Sequence, residues 1–476
     1  MWMQILWLND DMQNTNEFFK KYPQYKNTLR IDEVRKKEYQ ILEKLNHIYL
    51  DYTGAGLYGN SQLATHQKLM QENVFGNPHS YNPTAQFSTE LVESARNFVL
   101  AYFQADPDEY VCIFTQNASG ALKLIGEAYP FGEGCHYALL FDNHNSVNGI
   151  REYAKSKGAD VTYIPVVLPD LRGDEKRLME VLQTKRPGCF SLFAYPAQSN
   201  FSGVQHPLSW IETAHGFGWD VVLDAAAFTP TNRLDLSRWK PDFVPLSFYK
   251  MFGYPTGIGA LIARKETIQS LRRSWFAGGT TTVASVGGKK FYPAEPPARF
   301  EDGTVDYLNI PAVEIGLRQI KKIGIDIIHE RVSMLTSWLL EQLSNMRHGN
   351  GKPMVQIYGP LTMNARGGTV TINFLNRCGA LIEKSVLEKE ANQRNISIRM
   401  GFFCNPGAGE IALQISPDEL SSCFSQSAYT ERISDLDFQR CIDPKATGAV
   451  RVSVGLVSNL ADIEEFLDFA RSFLAK

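Results

Sequence analysis

Two ionisable residues close apolar runs in this chain, and their types and spacing suggest chemistry. In WDVVLDAAAF an apolar run ends on Asp224. In FVPLSFYKMFGYPTGIGALI, Lys250 follows a second such run among aromatic residues and glycines. A carboxylate at the end of a buried strand is costly unless it meets a cation or hydrogen-bond donors. A lysine in apolar surroundings has its pKa lowered by desolvation, which makes its amine a usable nucleophile. Singly, each residue also fits a structural role, Asp224 as a helix cap and Lys250 as a cation reaching solvent over a buried stem. Together, on consecutive predicted strands, they suggest a Schiff-base lysine and an acidic partner for a pyridinium nitrogen.

A phosphate-bearing cofactor of that kind needs donors. TQNASGALK follows the run YVCIFT and opens a helical pattern, so its amides and the Ser119 hydroxyl would face an anion with the helix dipole behind them. Serine and asparagine before a helix serve equally well as plain caps. The third reactive candidate is Cys404 in RMGFFCNPGAG, on a turn bounded by glycine and proline. It is either a small buried hydrophobe, as most free cysteines are, or a thiol presented on a mobile loop, with Arg399 nearby to favour the thiolate.

The elements that must position these residues are legible in the periodicity. From about residue 50 to 310, the runs YVCIFT, YALLF, VTYIPVV, CFSLFAY, DVVLDA and FVPLSF predict strands. Between them ASGALKLIGEAY, SVNGIREYAKSKGA, DEKRLMEVLQTK and PLSWIETAHGFG predict helices. Such alternation predicts an α/β fold, a mostly parallel sheet sandwiched by helices, with ligands beyond the carboxyl ends of the strands. GGTTTVASVGGKKFYPAEPPARFEDGT reads as a long functional loop. After it, PAVEIGLRQIKKIGIDIIHERVSMLTSWLLEQL has sustained helical periodicity, and the tail mixes strands (VQIYG, GTVTINFL, AVRVSVG) with helices. We therefore expect an N-terminal arm (1–50) packing with a small domain, a large ligand-binding domain (51–310) and a smaller C-terminal α/β domain (311–476) that carries the cysteine loop.

Bulk properties exclude some functions. Of 476 residues 44% are hydrophobic and 21% charged, an ordinary globular balance, and a formal net charge of -3 gives no electrostatic support for nucleic-acid binding. No apolar run approaches the roughly 18 residues of a membrane span. MWMQILWLNDDMQ lacks the early positive charge of a signal peptide, and the seven cysteines are scattered without a CxxC pair. Reduced thiols and a cytoplasmic location are the expectation, with no metal site.

YLDYTGAGLY, DNHNSVNGIR, FAYPAQSNFSG, VVLDAAAF, SFYKMFGYPTGIGALI, RFEDGT, GFFCNPGAG and GAVRVSVG, in that order, carry a family resemblance over most of the chain. The sequence resembles the class V, fold-type I pyridoxal-phosphate enzymes, the aminotransferase and cysteine desulfurase group. Within that group it is most like the N-terminal sulfurase domain of the molybdenum cofactor sulfurases. The resemblance implies a cofactor, pyridoxal 5′-phosphate (PLP), carried by Lys250. It implies Asp224 at the pyridine nitrogen, His144 stacked on the ring and moving protons, and Asn200 at the ring 3-oxygen. Ala118, Ser119 and Ser247 would hold the phosphate. Tyr249 stands where simpler desulfurases have histidine, and Thr304 would reach the phosphate of a partner subunit in a homodimer. Arg451 would clamp the substrate carboxylate, a task suited to a planar guanidinium. Cys404 aligns with the cysteine that takes up sulfur as a persulfide, with L-cysteine as substrate and alanine released.

There are departures. In the sulfurases the loop resembles GCFCNPGAC, whereas here Phe402 and Gly409 stand at the flanking cysteine positions. A chain of 476 residues is also expected to lack the C-terminal domain that binds molybdenum cofactor, so the sulfur acceptor, a protein or a cofactor, is open. Two other readings compete: another PLP reaction on a different amino acid, such as transamination or β-elimination, or a PLP-fold scaffold without catalysis.

Overall fold

Seven apolar runs assemble into one sheet, and several of them are followed by helices, among them Ala118–Ala128, Ile150–Ser156 and Glu175–Leu182, that pack onto it. The computed structural model describes residues 15–425, 433–442 and 448–474. In chain order the strands are β1 (Tyr110–Thr115), β2 (His136–Leu140), β3 (Asp160–Ile164), β4 (Ser191–Pro196), β5 (Asp220–Asp224), β6 (Phe243–Ser247) and β7 (Gly259–Arg264). Across the sheet the order is β1-β7-β6-β5-β4-β2-β3. β7 alone runs against its neighbours. The carboxyl ends of β1, β2, β4, β5 and β6 therefore share one edge, where open α/β sheets bind ligands. The central strands are buried almost throughout, as a sheet covered on both faces requires.

The helix Ala118–Ala128 (α1) starts directly beyond β1 because Asn117 caps it, its Oδ1 accepting from the Gly120 amide at 2.9 Å. Its buried Ala121, Leu122, Ile125 and Ala128 lie against the sheet in one apolar cluster with Ile113, Leu139, Val222 and Leu261. The loop over 278–304, expected to be irregular, contains a hairpin of Thr281–Ser285 with Lys290–Pro293. Its β-branched and aromatic residues are strand formers, which the surrounding glycines and prolines obscured. The uninterrupted helical pattern after residue 310 forms two helices, Ile310–Ile323 and Ile325–Asn345. Gly324 divides them at φ +93°, a conformation a side chain would strain.

A second, four-stranded antiparallel sheet combines Val355–Tyr358, Thr369–Phe374, Ala449–Ser453 and Arg399–Gly401. The N-terminal arm is tied to this half of the chain. Ile48–Tyr49 pairs with Ile396–Ser397, and the buried Arg35 grips Asp462 through both terminal nitrogens at 2.5 and 3.0 Å.

One expectation about the cysteines is corrected. Cys423 and Cys441 form a disulfide that joins the helix Pro417–Phe424 to the helix Asp435–Ile442. Their separation of 18 residues carried no CxxC signal; the pairing arises because the two helices pack together. With Leu413, Ile415 and Ile442 they build a small separate core, against which Phe402 and Phe438 lie. Part of segment 408–449, whose role the sequence left open, lies outside the described residues. Cys112, Cys135, Cys189, Cys378 and Cys404 are free.

Candidate active site

The shared strand edge places most of the candidate residues around one cavity of about 140 Å³. β5 ends at Asp224, whose Oδ1 accepts from the Ala226 amide at 3.0 Å in the turn that follows. β6 ends at Ser247, and the short helix Phe248–Phe252 that begins there carries Lys250. Gly253 stops that helix at φ +77°, where a Cβ would lie 2.4 Å from the Tyr58 amide nitrogen. Only glycine lets the Lys250 turn sit so close to the 57–58 backbone.

Ala118, Ser119, His144, Asn200, Ser247 and Tyr249 line the same cavity, as do Ser146 and Gln198. The Ala118 amide donates to Ser247 Oγ at 2.9 Å, so its donor locks two walls together. Ser119 and Ser146 share a hydrogen bond of 2.6 Å between their hydroxyls. His144 caps the helix Asn145–Asn148, its Nδ1 accepting from the Ser146 amide at 3.1 Å. An accepting Nδ1 leaves the proton of the neutral ring on Nε2.

Burial is the main influence on the charges here. It lowers the Lys250 pKa below its ordinary value; Arg451 and Arg399 push the same way, while Asp224 opposes them. Burial likewise lowers the His144 pKa, reinforced by Lys250 and Arg451 and opposed by Asp224. The imidazole is accordingly neutral at neutral pH. Tyr249 is held in the phenol form, its pKa raised mainly by burial.

The residues fit a phosphorylated pyridine aldehyde. The Lys250 amine has no hydrogen bond or ion pair among the described residues, and Lys250 lines the cavity. Asp224 offers a buried carboxylate on the neighbouring strand end, and three serine hydroxyls with the α1 terminus line the cavity for an anion.

Cys404 is exposed, on a loop that reaches this site by its backbone. The Asn145 amide, next to His144, donates to the Cys404 carbonyl at 2.7 Å. Asn200, expected at a ring oxygen, is engaged with the loop: Nδ2 donates to the Phe403 carbonyl at 2.8 Å, and Oδ1 accepts from Asn405 Nδ2 at 2.9 Å. Phe402 lies so close to Gly409 that a Cβ there would meet its ring at 2.2 Å. The two departures from the sulfurase-like loop are thus complementary, a large ring seated on a bare backbone.

Arg451 is almost fully buried, and its guanidinium lies 4.8 Å from the centre of the Phe403 ring. Nη2 donates to Asp51 at 2.8 Å and Nη1 to the Asn200 carbonyl at 3.2 Å. Thr304 is not brought to this cavity. It is exposed and lines a second one, of about 430 Å³, with Gln116, Lys123 and Arg273. Sequence reasoning missed Ser146, Gln198, Asn405 and Asp51. Each sits in or next to a motif that marked it, yet its role depends on a contact distant in sequence.

A family model described as aminotransferase class-V matches residues 48–466. The chain is 37% identical over 460 residues to the molybdenum cofactor sulfurase of Bos taurus, a match covering 92% of this chain and 51% of that protein. With the molybdenum cofactor sulfurase of Arabidopsis thaliana the identity is 35% over 483 residues, covering 94% and 58%. The chain thus spans about half the length of the curated relatives it matches. Among solved structures, a cysteine desulfurase from Thermococcus onnurineus has the same fold, with TM-score 0.75 at 22% identity, covering 93% of this chain and 98% of that one.

Proposed function

The chain belongs to the class-V aminotransferase family, whose cofactor is pyridoxal 5′-phosphate, and from that premise we propose that it mobilises sulfur from L-cysteine. The observation that carries this reading is the meeting of two motifs at one site. The Cys404 carbonyl is held by Asn145, which sits between His144 and Ser146, two residues that line the same cavity as Lys250 and Asp224. The molybdenum cofactor sulfurase relatives favour sulfur as the cargo.

Lys250 would hold the cofactor, Asp224 its ring nitrogen, and Ser119 and Ser247 its phosphate. When bound, the cofactor supplies an aldehyde for the substrate amine and an electron-accepting ring that spreads the charge left at Cα. The chain's own residues do the rest. Arg451 binds the substrate carboxylate through charge-assisted hydrogen bonds and so fixes which Cα bond faces the ring. The Lys250 amine, whose pKa burial lowers, takes the Cα proton and later returns one. Neutral His144 offers the Nε2 proton. Each proton transfer contributes on the order of a hundredfold or more. The Cys404 thiolate attacks the substrate sulfur: the Cβ–S bond breaks, an S–S bond forms, and alanine leaves with hydrogen in place of the thiol. L-Cysteine and an enzyme thiol give alanine and an enzyme persulfide, with no external oxidant.

Brief exposure of purified protein to L-cysteine, followed by intact mass measurement, peptide mapping and product analysis, tests this. One added sulfur atom on Cys404 with alanine is the expected result. Pyruvate and sulfide without the added atom would make the protein a lyase instead.

A homodimer is part of the reading. Thr304 is exposed and outside its own chain's pocket, which suits a contact made in a partner's. Sedimentation of the cofactor-loaded protein should give twice the chain mass; a fully active monomer would remove Thr304 from the site.

A further inference from the structure

The motif YLDYTGAGLY contains an acid the reaction above does not use. Asp51 lies with Arg451, the residue read above as the carboxylate clamp, and divides its oxygens between two arginines. Oδ1 accepts from Arg451 Nη2 at 2.8 Å, and Oδ2 lies 3.5 Å from Arg399 Nε. Arg399 and Arg451 face each other across adjacent strands, so one carboxylate bridges a cross-strand pair of like charges. The three differ in exposure: the Arg451 side chain is 2% exposed, Asp51 17% and Arg399 51%.

The grip on Arg451 is incomplete. Asp51 uses one of its nitrogens, and Arg451 Nε is buried with no hydrogen-bond partner among the described residues. A buried, unpaired guanidinium donor is costly, and the side-on pair Nη2 and Nε is a geometry that two carboxylate oxygens fill together. Arg451 lies behind the cavity wall, bonded to the lining residue Asn200, and a free carboxylate that reached it there would take both donors; Asp51, placed by its backbone bridge to Ser453, holds one. The two anions cannot share the guanidinium without repulsion, and the neighbour able to receive a displaced Asp51 is already 3.5 Å away.

We propose that Asp51 is an internal stand-in for the substrate carboxylate: it occupies Arg451 in the free protein and passes to Arg399 when an amino acid enters. The stand-in neutralises a buried cation while the site is empty. The Asp51–Arg399 pair then sets how tightly carboxylates are held. This rests on the reading of Arg451 as the carboxylate site.

The test measures binding of propionate and of L-alanine to the cofactor-loaded protein by calorimetry, beside L-cysteine turnover. Asp51→Asn keeps the shape and removes the competing charge, so affinity for both probes should rise about tenfold, one charge-assisted hydrogen bond's worth. Asp51→Glu should restore the wild-type value. Arg399→Gln should weaken binding about threefold or more where Asp51 is present and leave it nearly unchanged beside Asp51→Asn, the coupling expected of groups that act as one unit. A merely structural Asp51 gives the opposite sign. Affinity that falls or holds in Asp51→Asn, or an Arg399→Gln effect equal in both backgrounds, overturns the proposal. Propionate binding unchanged in Arg451→Gln overturns it as well. Wild-type protein that makes no alanine from L-cysteine would refute the desulfurase reading and leave the propionate result to decide the role of Asp51.

Discussion

Lys250→Ala is expected to abolish both turnover and the visible absorbance of the lysine-linked cofactor, with alanine formation falling by a factor of 10⁴ or more, roughly the loss seen when a nucleophile and proton carrier is deleted. The effect is large because no other amine replaces it: among the described residues, Lys250 is the only lysine on the cavity wall. A second consequence separates mechanism from folding. A lysine whose folded pKa lies below its ordinary 10.5 destabilises the protein at every pH where the unfolded chain keeps it protonated. That cost is complete below the folded pKa and disappears as pH rises towards the unfolded value. Lys250→Met, which keeps the bulk and removes the charge, should therefore raise the melting temperature of the cofactor-free protein at neutral pH, with the gain shrinking in alkaline solution. An inactive variant that melts lower at every pH would show that the lysine stabilises the fold and would weaken its assignment as a desolvated amine.

Why these residues were legible and others were not has a physical cause. Asp224 and Lys250 were found because a charge at the end of an apolar strand is costly, and cost is visible in sequence. The seven-stranded sheet was legible for the same reason, its strands being short apolar runs between helical patterns. What stayed hidden depends on distance in the chain. The Asp51–Arg451 pair spans 400 residues and the Asn200–Phe403 bond 203. No local pattern marks either. The hairpin at 281–293 was masked by glycine and proline, which signal turns but do not say whether strands lie between them. The Cys423–Cys441 disulfide was missed because scattered cysteines acquire a meaning only once helices bring them together. Asn200 shows a subtler gap: the family resemblance marked it as important and named a ring oxygen, while the structure shows its amide bound to the cysteine loop. That second tie links the pocket to the loop above it.

The loop explains why Cys404→Ser should be nearly as damaging as loss of Lys250 and yet leave the cofactor in place. Phe403 and Cys404 both adopt left-handed backbone angles, φ +55° each. For residues other than glycine this costs about 1–2 kcal/mol apiece, and it persists only where the surroundings impose it. Here they do. The Phe403 ring is buried beside Phe201 with its centre 5.5 Å away and lies under the Arg451 guanidinium; the Phe403 and Cys404 carbonyls accept from Asn200 and Asn145. Four contacts thus fix the backbone, and the thiol that results is exposed although the residue before it is buried. A cysteine serving only as small apolar filler would have no reason to be held out at that expense. Cys404→Ser keeps the backbone, so cofactor absorbance and propionate binding should match wild type. The added sulfur atom should vanish, and alanine formation should fall at least a hundredfold, about 2.7 kcal/mol of lost barrier reduction. Alanine formed at an undiminished rate, with sulfide released to solution, would mean that the substrate sulfur leaves without a protein acceptor. Cys404 would then be a bystander on a well-built loop.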